Sequence, residues 1–189
     1  NSRHARIQAE MALFATMERQ KSEEFRLRSF RLRGERMTKA QAGAIDQHLS
    51  EFEIPLDHPI ELEKIFPKDK YQEIVCEIGS GMGEASSQIA YENPASGYLA
   101  VEVHKPGIGA LLIRANNLGV KNLRVINEDI YLVLKENITD SSFDAFHIFF
   151  PDPWPKRRQH KRRLLNPEFI ETLARKLKPG GRINIATDW

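Results

Sequence analysis

Short hydrophobic runs alternate along the chain with stretches in which apolar residues recur at helical spacing. From Gln72 onward, the runs predict strands and the stretches between them predict helices. Strands that are buried on both faces read as nearly continuous apolar runs, so the alternation predicts a doubly wound, Rossmann-like α/β domain with a parallel sheet. The predicted strands are residues 74–78, 98–103, 123–126, 143–150 and 182–187.

The predicted helices have sequence signals at several of their ends. Asn166 precedes Pro167, and a capping Asn followed by Pro in the first turn is typical of a helix start. The same helix is expected to stop at residues 178–181, where Pro-Gly-Gly interrupts the helical pattern. The other predicted helices of this domain are residues 84–91, 106–118 and 130–137.

The segment before Gln72 has no strand pattern. Residues 1–37 are polar and basic, which is typical of a helix or a mobile arm. Thr38 and Gln41 have the spacing of a capping box and predict a helix to about Leu49, before a linker that contains prolines. We therefore expect residues 1–71 to form a basic arm, a helix and a linker, and residues 72–189 to form the main domain. Because the chain ends directly after a strand-like run, we expect its C-terminal end to be incomplete.

The charged residues are unevenly distributed. The chain of 189 residues has 28 Lys and Arg, 26 Asp and Glu and a net charge of +2. Residues 26–39 and residues 154–163 each hold six Lys or Arg, so the rest of the chain is acidic. Two basic runs in an acidic chain favour a surface that binds a polyanion such as nucleic acid. The alternative is that both runs are solvated faces.

Composition excludes several other classes of protein. No apolar run approaches the roughly 18–20 residues that a membrane-spanning helix needs. A single cysteine, Cys76, excludes an intramolecular disulfide framework and a cysteine-rich zinc site. We therefore expect a cytoplasmic protein that neither binds a structural metal nor enters a membrane.

A glycine-rich segment joins the first predicted strand to its helix, and acidic residues follow the strands. Gly79 and Gly81 lie where a tight turn and close approach to a ligand require glycine. Ligands of open α/β sheets bind at the carboxyl ends of the strands. Glu102 is placed to hold ribose hydroxyls, and Asp129 or its backbone to face an adenine edge. The acids expected at this edge are Glu77, Glu102, Asp129 and Asp152.

The same segment indicates which nucleotide cofactor is bound. Its spacing is G-x-G-x-G, and Glu84 stands where a dinucleotide fingerprint would have its third glycine. Glu77 precedes the glycines and the loop has no basic residue, so a pyrophosphate would be repelled and a cationic sulfonium attracted. This favours S-adenosylmethionine over NAD and makes a dehydrogenase a distant alternative.

Three prolines stiffen the segment that follows the fourth predicted strand. They hold Asp152 and Trp154 at the functional edge of the sheet. A carboxylate there can accept hydrogen bonds from the N–H edge of a base, whereas Trp154 can stack on a base or pack in the core, and we favour packing. Residues 156–163 would contact phosphates. The residues expected to be only part of the core are Cys76, Phe143, Phe146, His147, Phe149 and Phe150.

Several segments of the chain carry a resemblance to one protein family. They are Arg28-Ser29-Phe30, Arg36-Met37-Thr38 with Gln41, Glu77-Ile78-Gly79-Ser80-Gly81, Glu102-Val103-His104, Lys161-Arg162-Arg163 and Ala186-Thr187-Asp188-Trp189. The most specific segment is the Phe-Pro-Asp-Pro-Trp run at residues 150–154. With these segments the sequence resembles the bacterial tRNA (guanine-N7-)-methyltransferases.

The resemblance implies a class I methyltransferase that moves a methyl group from S-adenosylmethionine to N7 of a guanine in the variable loop of tRNA. S-adenosylhomocysteine would be the product and tRNA the partner, with a monomeric or homodimeric protein and no obligatory protein partner. The cofactor residues would be Glu77, Gly79, Gly81, Glu102, Asp129 and Asp152, of which Asp152 would also be catalytic. Lys156 and Asp188 would contact the substrate. The RNA backbone would be held by Arg158, Lys161, Arg162 and Arg163.

The chain departs from the family pattern in two places. Gln159 stands where the family usually has His, and His160 follows it. The family also continues past the Thr-Asp-Trp motif with two closing strands, which are expected to be missing here.

Two alternatives to the N7 reaction stay open. Asp152-Pro153-Trp154 partly imitates the Asp/Asn-Pro-Pro-aromatic motif of amino-group methyltransferases that act on adenine N6 or cytosine N4, although the second proline is absent. A non-catalytic RNA-binding protein is the other, and it would keep the basic runs without needing the strand-end acids.

Overall fold

The computed structural model describes residues 28–30, 34 and 36–188. Most of the predicted basic arm therefore lies outside the described residues. The helices are α1 (Lys39–Phe52), α2 (Leu62–Ile65), α3 (Glu84–Glu92), α4 (Lys105–Leu118), α5 (Ile130–Leu132), which continues as a π-helical turn over Val133–Asn137, and α6 (Pro167–Lys176), with a 3-10 helix at Arg157–Arg162. The strands are β1 (Glu73–Ile78), β2 (Ser96–Val101), β3 (Leu123–Ile126), β4 (Phe143–Phe149) and β5 (Leu177–Ala186).

The five strands form one parallel sheet in the order β3-β2-β1-β4-β5. The chain order reverses beside β1, which is paired to β2 on one side and to β4 on the other. Such a reversal opens a crevice at the carboxyl ends of the central strands. The predicted parallel α/β sheet is confirmed.

The start of β5 differs from the prediction. The strand begins at Leu177, which pairs with Phe143, and it includes the Pro-Gly-Gly segment that was expected to precede it. The register shifts between Phe143 and Ala145, and Gly180 has a φ of 81°. Proline and glycine are tolerated at an irregularity of an edge strand, so this segment distorts the pairing without ending it.

Both predicted helix starts are confirmed. The Thr38 side chain accepts from the Gln41 N–H at 3.2 Å, and the Gln41 side chain accepts from the Thr38 N–H at 2.9 Å. The Asn166 side chain caps α6 by accepting from the Phe169 N–H at 3.0 Å. Each cap satisfies backbone donors that a helix start leaves unpaired.

The segment expected to be a linker packs against the sheet. The Ile54 N–H donates to the Val125 carbonyl at 3.0 Å, and Ile54, Phe66 and Tyr71 are all buried. Phe66 covers Gly97 of β2 so closely that a side chain at position 97 would overlap its ring. This segment therefore contributes to the core of the sheet domain, and the boundary after residue 71 stays a prediction.

Two apolar clusters fill the core. Cys76, Phe143 and Phe146 are fully buried in one of them, as expected from the sequence. Burial raises the pKa of the Cys76 thiol, which keeps it protonated and unreactive. Within the described part of the chain, none of the helices has the length and apolar character needed to cross a membrane.

Candidate active site

A cavity of about 550 Å³ opens at the carboxyl ends of β1, β2, β3 and β4. Most of its walls come from the glycine-rich turn after β1 and from the ends of the other three strands, and Ser29, Phe30 and Leu164 complete the lining. All six residues predicted to hold the cofactor line it, namely Glu77, Gly79, Gly81, Glu102, Asp129 and Asp152.

The turn between β1 and α3 requires glycine for two different reasons. Gly81 has a φ of 57° and open space where a side chain would point, so its backbone conformation is the reason. Gly83 has a φ of 76° and also lies against Leu111 of α4, where a side chain would overlap that residue. Tight packing at Gly83 therefore anchors the turn, while Gly81 faces the cavity.

Glu102 fastens this turn to the end of β2. One carboxylate oxygen accepts from the Gly81 N–H at 2.7 Å, and the other accepts from the His104 N–H at 2.8 Å. The side chain is buried, and hydrogen bonds to an ionised group are among the stronger ones in proteins. Glu102 thus shapes the cavity as well as lining it.

Glu77 is a buried carboxylate that is held through one of its two oxygens. Oε2 accepts from the Ser86 hydroxyl at 2.9 Å and from the Tyr98 hydroxyl at 2.7 Å. Burial raises the pKa of Glu77 in spite of these two bonds, and the nearby Glu102 carboxylate adds to the effect. A cation in the cavity would favour the ionised form, so the site is electrostatically suited to a positively charged ligand.

Two neighbouring acidic residues, Glu128 and Asp129, line the cavity after β3. The Asp129 side chain caps α5 by accepting from the Tyr131 N–H at 3.0 Å, and the Asp129 N–H donates to Glu128 at 2.6 Å. Glu128 also lines the cavity, although it was not among the residues predicted from the sequence. Glu128 directly precedes Asp129, the acid predicted to follow β3, and this position is the feature of the sequence that could have indicated it.

Ser80 is a second cavity residue that was not among those predicted from the sequence. Among the described residues, its Oγ is the buried side-chain oxygen that lacks a hydrogen-bond partner. The residue is 7% exposed and lines the cavity beside Gly79 and Gly81. An unsatisfied buried hydroxyl is costly, and here a bound ligand would supply the partner.

The segment after β4 combines a packed tryptophan with an exposed phenylalanine. Trp154 is 5% exposed, donates from Nε1 to the Ser29 carbonyl at 2.8 Å and carries the Arg162 guanidinium over its ring. Its predicted packing is confirmed. The prediction that Phe150 belongs to the core is wrong, because the strand ends at Phe149 and Phe150 is 66% exposed.

The residues predicted to bind the substrate and the RNA are not part of the cavity lining. Arg163 donates to the Pro153 carbonyl at 3.0 Å, so it and Arg162 support the segment after β4. The side chains of Lys156, Arg158 and Lys161 are exposed on or beside the 3-10 helix, and Asp188 is exposed after β5.

His147 is packed under the site, as expected from the sequence. Its Nδ1 lies 3.0 Å from the Tyr98 hydroxyl, and burial lowers its pKa. Because Tyr98 donates its one proton to Glu77, the bond from His147 requires the proton to be on Nδ1. Within the described residues, no group of His, Cys, Asp and Glu is arranged to hold a metal ion.

Comparisons with known proteins agree with this architecture. A protein of Nitrosomonas eutropha named tRNA (guanine-N(7)-)-methyltransferase is 47% identical over 164 residues, which cover 86% of this chain and 72% of that protein. A protein of Streptomyces avermitilis with the same name is 44% identical over 167 residues, which cover 88% of this chain and 57% of that protein. The family described as "Putative methyltransferase" matches residues 71–189. The solved structure of the 16S rRNA methyltransferase KamB shares the fold, with a TM-score of 0.50 at 19% identity over 68% of this chain and 59% of that one.

The parallel sheet with a cavity at its carboxyl edge is the fold that this chain shares with KamB, and the family that matches residues 71–189 makes the chain a methyltransferase of this fold. The sequence similarity extends over most of the chain and is more specific than the fold. The chain belongs to the tRNA (guanine-N7-)-methyltransferase family. The fold and the family expected from the sequence are therefore confirmed.

Replacing Glu77 with glutamine is expected to stabilise the ligand-free protein at pH 8 while weakening its binding of S-adenosylmethionine. Since the folded protein raises the pKa of Glu77, ionisation disfavours the fold, and stability falls as the pH rises through that raised pKa. The amide oxygen of Gln can still accept from Ser86 and Tyr98. Loss of the charge should weaken cofactor binding by roughly tenfold or more.

Thermal unfolding of wild type and Glu77→Gln between pH 5 and pH 8 tests this expectation. The midpoints should diverge as the pH rises, with the variant higher, and calorimetry should show the weaker binding. Glu92→Gln, an exposed change at the end of α3, is the control. A Glu77→Gln midpoint below that of wild type at pH 8 would contradict the prediction.

Proposed function

We propose that this protein transfers a methyl group from S-adenosylmethionine to N7 of a guanine in the variable loop of tRNA and releases S-adenosylhomocysteine. One observation carries the proposal. Asp152, on the segment stiffened by prolines, lines the same cavity as the acidic residues expected to hold the cofactor. Membership of the tRNA (guanine-N7-)-methyltransferase family supports the choice of substrate.

The residues around the cavity fit this cofactor. Glu102 and the Glu128–Asp129 pair offer acceptors for hydroxyl and amino groups, and Glu77 offers a buried negative charge for a cationic ligand. The unsatisfied hydroxyl of Ser80 can bond to a polar group of the bound molecule. When bound, the cofactor supplies an electrophilic methyl group on a positively charged sulfur.

The proposed chemistry requires positioning more than proton transfer. Guanine N7 has an in-plane lone pair, so no base has to deprotonate it and no metal has to activate it. Alignment of the two reactants can lower the barrier substantially. We assign two roles to Asp152. Its carboxylate accepts hydrogen bonds from the N–H edge of guanine, and its negative charge offsets the positive charge that develops on the ring. Asp188, two residues after β5, would share that work.

The basic surface beside Asp152 would hold the RNA. Lys156, Arg158 and Lys161 are exposed and can reach phosphates, which account for much of the affinity of nucleic-acid-binding proteins. Arg162 and Arg163 would add positive charge while supporting the segment that carries Asp152. We further propose that the protein acts in the cytoplasm as a monomer or homodimer, without an obligatory protein partner.

Nucleoside analysis tests the reaction directly. The protein is incubated with bulk tRNA and with S-adenosylmethionine labelled in its methyl group, and the tRNA is then digested. We expect the label in 7-methylguanosine. Label in N6-methyladenosine or N4-methylcytidine would identify an amino-group methyltransferase instead. Binding of tRNA without any transfer of label would favour a non-catalytic RNA-binding protein.

A further inference from the structure

Phe150 is an exposed aromatic residue where the chain leaves a buried strand. It lines the cavity although 66% of its surface is accessible. An exposed phenylalanine forgoes the hydrophobic stabilisation that burial of its ring would supply, so a free protein gains little from displaying one. Tyr91 on α3 is also largely exposed, but it lies away from the cavity lining.

The backbone at Phe150 is held in a conformation that phenylalanine rarely adopts. Its φ of 51° lies in the left-handed region, which is favourable for Gly and Asn and costly for other residues. The Phe150 N–H donates to the Ala186 carbonyl of β5 at 2.8 Å, and Pro151 follows directly. Strain of this kind persists where the surroundings enforce it and is often found at functional sites.

The position of Phe150 relative to Asp152 suggests what the ring does. Both residues line the cavity, on the same short segment, beside the acids that end β1 and β2. A carboxylate that grips one edge of a planar base leaves the tilt of the base undefined. A ring against the face of the base removes that freedom, and methyl transfer requires both constraints because it depends on the alignment of N7.

We propose that Phe150 is the stacking platform for the target guanine, which enters the cavity out of its stack in the RNA. This inference rests on the proposed function and adds a residue that positions the substrate base. Stacking of a base on an aromatic side chain contributes about 1–3 kcal/mol. In this arrangement Phe150 fixes the plane of the guanine, and Asp152 holds the N–H edge of the base.

A set of Phe150 variants tests the role of the ring. Phe150→Leu keeps an apolar side chain without a π-face, and it should lower kcat/KM for tRNA by roughly 5- to 150-fold. Phe150→Trp should restore most of the activity, since any aromatic face can stack. The dissociation constant of S-adenosylmethionine and the dependence of tRNA binding on salt should stay as in wild type. Tyr91→Leu is the matched control and should leave all of these quantities unchanged.

Phe150→Asn separates a functional ring from a structural one. Asn tolerates the left-handed conformation, so the unfolding midpoint of this variant should equal or exceed that of wild type. Its kcat/KM for tRNA should nevertheless fall as far as that of Phe150→Leu. A lower midpoint in Phe150→Asn would instead make the ring part of the structural packing and overturn the inference.

Two further results would overturn the proposal, and they can be told apart. Full activity of Phe150→Leu beside an active wild type would overturn the stacking role alone. Equal losses in cofactor binding and in activity would assign the ring to the cofactor site. A wild-type protein that forms no 7-methylguanosine would overturn the proposed function and this inference with it.

Discussion

Replacing Asp152 with asparagine is expected to slow methyl transfer in a single turnover by roughly 10²- to 10³-fold. Asparagine keeps the size of the side chain and one acceptor, but it removes the negative charge. If Asp152 offsets positive charge on the guanine ring, the loss should appear in the chemical step even when cofactor and tRNA are saturating. The side chain lines the cavity at the edge of the sheet where that charge would develop.

Rapid-quench kinetics with labelled cofactor measure this step directly. Cofactor affinity is determined separately for the Asp152→Asn variant, so that saturation is ensured. Asp69→Asn removes a charge from the turn before β1, at the opposite edge of the sheet, and should react like wild type. An undiminished single-turnover rate in Asp152→Asn would show that the carboxylate has no charge role.

Replacing Glu102 with glutamine is expected to weaken binding of S-adenosylmethionine by roughly 10- to 100-fold. Both carboxylate oxygens accept from backbone N–H groups, those of Gly81 and His104. An amide offers one acceptor oxygen, and its NH₂ group would face a donor at the other position. One bond must break and leave a buried donor unsatisfied, which costs about 1–3 kcal/mol and loosens the glycine-rich turn.

Titration calorimetry and thermal unfolding together test this expectation. Glu102→Gln should lose cofactor affinity and unfold at a lower temperature, in contrast to Glu77→Gln, which should lose affinity without losing stability. Glu51→Gln, an exposed change on α1, controls for the removal of a carboxylate. Wild-type affinity in Glu102→Gln would mean that the two hydrogen bonds do not shape the cofactor site.

Most of the sheet could be predicted because its signals are local. Buried parallel strands require continuous apolar runs, and the run at Leu123–Ile126 predicted β3 with both of its ends. The start of β5 could not be predicted in this way. Pro179 and Gly180 read as a stop signal, yet pairing of Leu177 with Phe143 extends the strand through them. That pairing joins residues distant in the chain, and no local pattern encodes it.

Phe150 shows the same limit at the level of a single side chain. It continues the apolar run of β4, so the hydrophobic pattern assigns it to the core. Its exposure follows from a turn to positive φ at the end of the strand and from the bond to Ala186. A hydrophobicity pattern reports what a residue prefers, whereas the surrounding structure decides whether that preference is met.

The sequence by itself determined the alternation of strands and helices, and therefore the edge at which Glu77, Glu102, Asp129 and Asp152 gather. It could do so because the carboxyl ends of parallel strands always share one edge. Only the tertiary structure decided how these acids are held. Tyr98 reaches Glu77, and Glu102 reaches Gly81, across gaps in the chain that the pairing of β1 with β2 closes. Ser86 reaches Glu77 because the turn between β1 and α3 brings the start of the helix back to the strand. Hydrogen-bond partners depend on distances of a few ångströms, and the spacing of residues along a chain does not specify such distances.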